Sequence, residues 1–176
     1  MKSAITTKAK ATTKPISTSF KVLSAEILDE VVAIEHHSSK SPWPTEHFLS
    51  SLENSHNLSY ALMRKDKLIG YVIAALAIDS ADILNIAIDS GYQRQGHATK
   101  LLNRLVGELG ESGTKEFFLE VRASNNGAIS FYNSQGFKQI SVRKNYYMKN
   151  SNDSTEREDG IIMRLEIATA ENNNAL

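Results

Sequence analysis

Cysteine is absent from the 176 residues, which excludes disulfides, thiolate metal sites and a cysteine nucleophile. That absence fits a reducing compartment, and a cytoplasmic location is the expectation. No apolar run approaches the ~18 residues of a membrane span, so no membrane partner is expected. Charge of one sign is lacking too. Twenty basic residues cancel 20 acidic ones, and no overall field draws the chain to nucleic acid or a lipid surface. Proline occurs 3 times and tryptophan once, and two of those prolines flank the tryptophan in Ser41-Pro42-Trp43-Pro44. No histidine pair has metal-site spacing and there is no His-Glu-x-x-His, so no metal is expected. The Gly-bearing turn at Gly96 is not followed by Gly-Lys-Ser/Thr, which excludes a P-loop.

What is present describes one ordinary globular domain with a sizeable core: 41% apolar and 23% charged residues. Residues 1–18 carry Lys2, Lys8, Lys10 and Lys14 with no acid before Glu26, and no apolar h-region. They are expected to form a disordered basic tail, with the domain over 19–168 and a frayed polar end over 169–176. A first strand is predicted from Ser19 to Leu23. A helix capped by Ser24 follows, with an apolar face of Ile27, Leu28, Val31, Val32 and Ile34, closed by His36 and His37. The proline-flanked stretch breaks the chain, and Thr45 is the predicted cap of a second short helix through Phe48 and Leu52.

Strands are predicted at Tyr60–Arg64 and Leu68–Ile78, joined by the turn Lys65-Asp66-Lys67. The nearly all-apolar Ile83–Ile88 reads as a central buried strand. After the turn Gln93-Arg94-Gln95-Gly96-His97-Ala98 comes a helix whose stripe is Leu101, Leu102, Leu105, Val106 and Leu109. The turn leaves backbone N–H groups unpaired at a helix N-terminus, an arrangement that attracts phosphate. A strand over Phe117–Val121, a short helix over Asn126–Ser134 closed by Gly136, and a final antiparallel pair at Gln139–Met148 and Ile161–Ile167 complete the chain. Between that pair, Lys149 to Gly160 reads as a polar loop carrying Asp153, Glu156, Glu158 and Asp159. No internal repeat is visible.

Gln93-Arg94-Gln95-Gly96-His97-Ala98 resembles the Q/R-x-x-G-x-G/A signature with which GNAT N-acetyltransferases bind the pyrophosphate of acetyl-CoA. Leu119-Glu120-Val121-Arg122-Ala123-Ser124-Asn125, Phe131-Tyr132, Gly136-Phe137 and Arg143-Lys144-Asn145-Tyr146-Tyr147 are similar to one branch of that family. This is the bacterial ribosomal-protein S18 alanine N-acetyltransferases of the RimI type, and the likeness runs from about Ser24 to Ile167. It implies an α/β (α+β) fold: a mixed, mostly antiparallel sheet of about seven strands with about four helices, splayed between strands 4 and 5.

The resemblance also implies roles. Ile86, Ala87 and Ile88 would offer backbone groups to the pantetheine arm, and Arg94, Gln95, Gly96, His97, Ala98 and Thr99 would wrap the pyrophosphate. Glu120 would be the general base and Tyr132 the acid for the departing thiolate. Trp43, Asn145, Tyr146 and Tyr147, with Arg143 and Lys144, would line the acceptor groove. Read from the residues alone, alternatives stand beside these roles. Glu120 is a strand-end carboxylate suited to pairing with Arg122 or Lys115, Tyr132 suits a core, and Trp43 suits a loop cover. His97 reads as a solvent-facing turn residue, and Asn125 as a helix cap, a cofactor contact, or both. The acidic loop reads either as a solvated turn or as an attraction for a basic acceptor. The implied partners are acetyl-CoA and the S18 N-terminus, met by a monomer without specific nucleic acid. Three departures from the pattern are visible: Ser90-Gly91 where a proline turn is usual, which would loosen that loop; Ala98 for Gly; and the Lys-rich extension.

Overall fold

The computed structural model describes residues 17–149 and 156–167. The expected basic tail up to residue 16, the end from residue 168, and Asp153 lie outside the described residues. Strand β1 (Thr18–Val22) leads through a 3-10 turn into α1 (Leu28–Ser38) and α2 (Thr45–Glu53). Then come β2 (Asn57–Arg64), β3 (Lys67–Leu76), β4 (Ser80–Ile88), α3 (His97–Glu111), β5 (Glu116–Arg122), α4 (Asn126–Ser134), β6 (Lys138–Met148) and β7 (Arg157–Glu166). The strands form one sheet in the order β1-β2-β3-β4-β5-β7-β6. Every neighbouring pair is antiparallel except β4–β5, which is parallel and flanks the crossover through α3.

Alternation along the strands builds a core on each face. Tyr60, Leu62, Val72, Leu101, Leu105, Phe117, Leu119 and Tyr132 pack together on the face covered by α3 and α4. Val31, Ile34, Phe48, Ala61, Met63, Tyr71 and Ile73 pack on the face covered by α1 and α2. The α3 stripe is buried at Leu101, Leu102, Leu105 and Leu109, as its helical spacing requires. No helix among the described residues is long and apolar enough to cross a membrane.

Several local expectations need correction. Ser24 opens the 3-10 turn Ala25–Ile27 rather than α1, and its hydroxyl caps nothing. Thr45 is the first residue of α2, behind Pro44, and no side chain caps that helix. Strand β7 starts at Arg157, so Glu158 and Asp159 belong to a strand and not to a loop. Their polarity hid the strand. Both are held there by ion pairs, Glu158 with Arg122 at 2.7 Å and Asp159 with Lys144 at 2.7 Å.

The sheet is splayed where the resemblance implied. Strand β4 pairs with β5 only from Ser80–Glu116 to Ile83–Leu119. On its other edge, Ile73 faces Asn85 while Ala74 faces Ile83, which leaves Leu84 as the extra residue of a β-bulge. A bulge raises local twist and bends its strand. Here it bends β4 away from β5, so Asn85 to Ile88 keep β3 on one side and open to a cleft on the other.

Candidate active site

That cleft has a volume of about 1000 Å³ and runs through the splay from one face of the sheet to the other. One half is lined by Ile86, Ala87 and Ile88 of β4, by Arg94, Gly96, His97, Ala98 and Thr99, and by Asn125 and Tyr132. The turn before α3 is built from left-handed residues: Arg94 with φ +60° and Gly96 with φ +79°. A Cβ placed on Gly96 would meet nothing within 4 Å, so the positive φ, and not crowding, is what calls for glycine there. From Arg94 to Thr99 no backbone N–H has a partner among the described residues, and the first helical bond is Lys100 N–H to the Gly96 carbonyl. Successive free N–H groups at a helix start form an anion-binding concavity.

The loop leading there is not loose. Asp89 Oδ1 accepts the Gly91 N–H at 2.9 Å, and its Oδ2 pairs with Lys67 at 3.0 Å. Gln93 Nε2 donates to the Ile88 carbonyl at 3.0 Å, and Gln95 Nε2 to the Gly91 carbonyl at 3.3 Å. Gln95 is thus turned into its own loop and does not line the cleft. Burial pushes the Asp89 carboxyl up, but the Gly91 amide and Lys67 outweigh it and hold the group below the usual carboxylate range.

His97 corrects an expectation. It is 9% exposed instead of solvent-facing, packs its ring 6.4 Å from that of Tyr92, and leaves Nδ1 without a hydrogen-bond partner among the described residues. Burial, and then the charges of Lys100 and Arg64, hold its pKa below the ordinary histidine value. Asn125 caps α4, its Oδ1 accepting the Ala128 N–H at 3.1 Å, and also lines the cleft. Tyr132 is buried against Phe131 and Phe137, and burial alone pushes its hydroxyl above the phenol range. A phenol so placed stays protonated near neutral pH, and the burial that raises it also makes it a weaker acid.

The other half of the cleft is lined by Trp43, Glu120, Arg122 and Tyr147. Glu120 pairs with Arg143 at 2.9 Å, rather than with Arg122 or Lys115. Its carboxyl group lies over Gly160 of β7, where a Cβ would stand 3.2 Å from the carboxyl carbon and 3.2 Å from Tyr147 Cε2. Burial, and after it the neighbouring Glu120 carboxylate, raise the Tyr147 hydroxyl above the phenol range. Arg122 binds three segments together. Its guanidinium donates to Ser41 Oγ at 2.6 Å, to the Met148 carbonyl at 3.0 Å and to Glu158 at 2.7 Å, and lies 4.3 Å over the Tyr147 ring.

Asn145 and Tyr146 stay outside the cleft lining. Asn145 takes a left-handed turn (φ +51°) where the β6–β7 register shifts, its N–H donating to Asp159 at 2.9 Å. Tyr146 is 48% exposed under the Arg143 guanidinium. Glu156, Glu158 and Asp159 are all paired with cations of this chain, so the pull on a basic acceptor expected of them is already spent. Among the described residues no cluster of three or more His, Asp or Glu could hold a metal. Sequence reasoning missed Glu35, Arg122 as a hub, and Gly160. Glu35 had a visible signal, since it falls on the apolar α1 stripe beside Val31 and Ile34.

Comparison with known proteins agrees with this geometry. The profile of the Acetyltransferase (GNAT) family matches residues 28–137. The ribosomal protein bS18-alanine N-acetyltransferase of Escherichia coli K12 is 38% identical over 135 residues, 77% of this chain and 88% of its own. That of Salmonella typhimurium is 35% identical over 147 residues, 84% and 96% of the two chains. The crystal structure of the Escherichia coli ribosomal-protein-S18-alanine N-acetyltransferase superposes with a TM-score of 0.80 at 35% identity, covering 91% of this chain and all of the other. The profile spans more than half of the chain and these relatives exceed 30% identity, so the chain belongs to the GNAT acetyltransferase family and is similar within it to the bS18-alanine N-acetyltransferases.

Proposed function

We propose that the chain transfers the acetyl group of acetyl-CoA to the α-amine of an N-terminal alanine, with ribosomal protein S18 as acceptor. The carrying observation is that one cleft, opened by the Leu84 bulge, joins Arg94 and residues 96–99 with their free N–H groups, the exposed edge of β4, Glu120 and Tyr132. The acceptor follows the relatives, whose names specify the alanine of bS18.

The residues fit the donor. The free N–H groups and left-handed turn from Arg94 to Thr99 suit a pyrophosphate, and the open edge of Ile86–Ile88 suits the amides of the pantetheine arm. Acetyl-CoA supplies an activated acyl thioester. An α-ammonium titrates near about 7.7–8.0, so Glu120 has only to take one proton from a weak acid. On this reading an N–H of β4 at the splay receives the carbonyl oxygen as negative charge develops on it. Tyr132 then gives its proton to the departing thiolate. Without a cysteine nucleophile, direct transfer in a ternary complex is the simplest course.

Steady-state kinetics of Glu120→Gln and Tyr132→Phe, with an alanine-starting peptide, test these roles. Each substitution is expected to lower kcat by about 10²–10⁴ while leaving acetyl-CoA affinity in place. Wild-type kcat in either variant would remove that residue from the mechanism.

A further inference from the structure

Glu35 sits on α1, 3% exposed, in the wall of the cleft, and no ion pair involves it among the described residues. A carboxylate in such a place is costly unless its oxygens are engaged. Both are: Oε1 accepts the backbone N–H of Trp43 at 3.0 Å, and Oε2 accepts the Tyr71 hydroxyl at 2.7 Å. Burial, and then the charge and hydrogen bond of Glu35, push the Tyr71 phenol well above its ordinary range. Tyr71 is fully buried in β3 and edge-on to Phe48, whose ring lies 5.4 Å from that of Trp43. Glu35 therefore fastens the segment between α1 and α2 to the rigid centre of the sheet, at the one tryptophan of that segment. Pro42 and Pro44 stiffen the backbone on either side of the tethered N–H. Two residues earlier, Ser41 is held by Arg122 from β5.

We infer that Glu35 is a positioning residue for the acceptor: it fixes Trp43 as one wall of the groove opposite Glu120 and Tyr147. This rests on the proposed acceptor side of the cleft. Its role runs through the Trp43 backbone, and it takes no proton in the reaction. Loss of the tether is accordingly expected to weaken acceptor binding while sparing the donor half, where the loop before α3 and Ile86–Ile88 are held by other contacts.

The test compares wild type, Glu35→Ala, Glu35→Gln and Glu35→Asp in steady-state kinetics with an alanine-starting peptide. Emission and acrylamide quenching of Trp43 are recorded alongside, since Trp43 is the chain's only tryptophan. Glu35→Ala is expected to raise the peptide KM by about tenfold, the size of one lost charge-assisted hydrogen bond, with the acetyl-CoA KM unchanged and Trp43 more open to quencher. Glu35→Gln keeps an acceptor oxygen for the Trp43 N–H and is expected to restore both readouts. Should the alanine variant fail to fold, Glu35→Asp, which keeps the charge but shortens the reach, is expected to show the same split. Equal rises in both KM values, or an unmoved peptide KM with unmoved quenching, would overturn the inference. Failure of wild type to acetylate the peptide would instead overturn the proposed acceptor, and the quenching comparison would still decide whether Glu35 holds Trp43.

Discussion

At the scale of single residues, the site depends on a few side chains whose surroundings decide their chemistry. His97 carries a cost of burial: the fold favours its neutral form, with its pKa below the ordinary value. Between that lowered value and the ordinary ~6.5, the unfolded chain binds more protons than the folded one, so stability falls as pH drops through this window. His97→Leu, which gives up no partner at Nδ1, is expected to flatten the fall in thermal midpoint between about pH 7 and 5 relative to wild type. An unchanged slope would mean that His97 is not the group responsible. Gly160 acts by having no side chain. Gly160→Ala would place a methyl 3.2 Å from both the Glu120 carboxyl group and Tyr147. The expected result is a kcat lower by about tenfold or more from a displaced Glu120, with little loss of stability. These dependences were only partly legible beforehand. The acidic and phenolic residues of the cleft stood in recognisable motifs. The pairing of Glu120 with Arg143 spans 23 residues, which a linear pattern does not carry, and the packing of His97 on Tyr92 depends on how the turn between them folds back.

At the scale of elements, the α3 stripe and the apolar run of β4 were legible because each buries a regular face, at period 3.6 or as a central strand. The Leu84 bulge was not, because it is defined by register against β3 and leaves no mark on composition. The start of β7 was hidden for a related reason: its charges are neutralised by partners on β5 and β6 instead of by water. The β3–β4 contact is close at the end of β4, where Gly70 faces Ile88 beside the cleft. A Cβ on Gly70 would lie 2.7 Å from the Ala87 carbonyl oxygen and 2.5 Å from Ile88 Cδ1. Gly70→Ala must therefore push the end of β4 outward, at an expected cost of about 1–3 kcal/mol in stability. Acetyl-CoA binding, read by calorimetry, is expected to weaken with it. Wild-type affinity in a destabilised Gly70→Ala would show that the β4 edge is not part of the donor site.

At the scale of the whole molecule, the fold is a sheet held together by two cores and parted at one place. The parting puts the turn before α3, with its free N–H groups, on one side of a cleft and Glu120 with Tyr147 on the other. Arg122 and Glu35 then tie the segment between α1 and α2 to the two sides of the parting. The most direct test is mass spectrometry of three peptides incubated with acetyl-CoA and the protein. One begins with free Ala followed by Arg, one is the same peptide with a blocked N-terminus, and one offers only a lysine amine. Acetyl groups found on the free alanine alone, and absent with Glu120→Gln, are the expected result. Acetylation of the blocked or lysine peptide, or none with the free alanine peptide, would contradict the account.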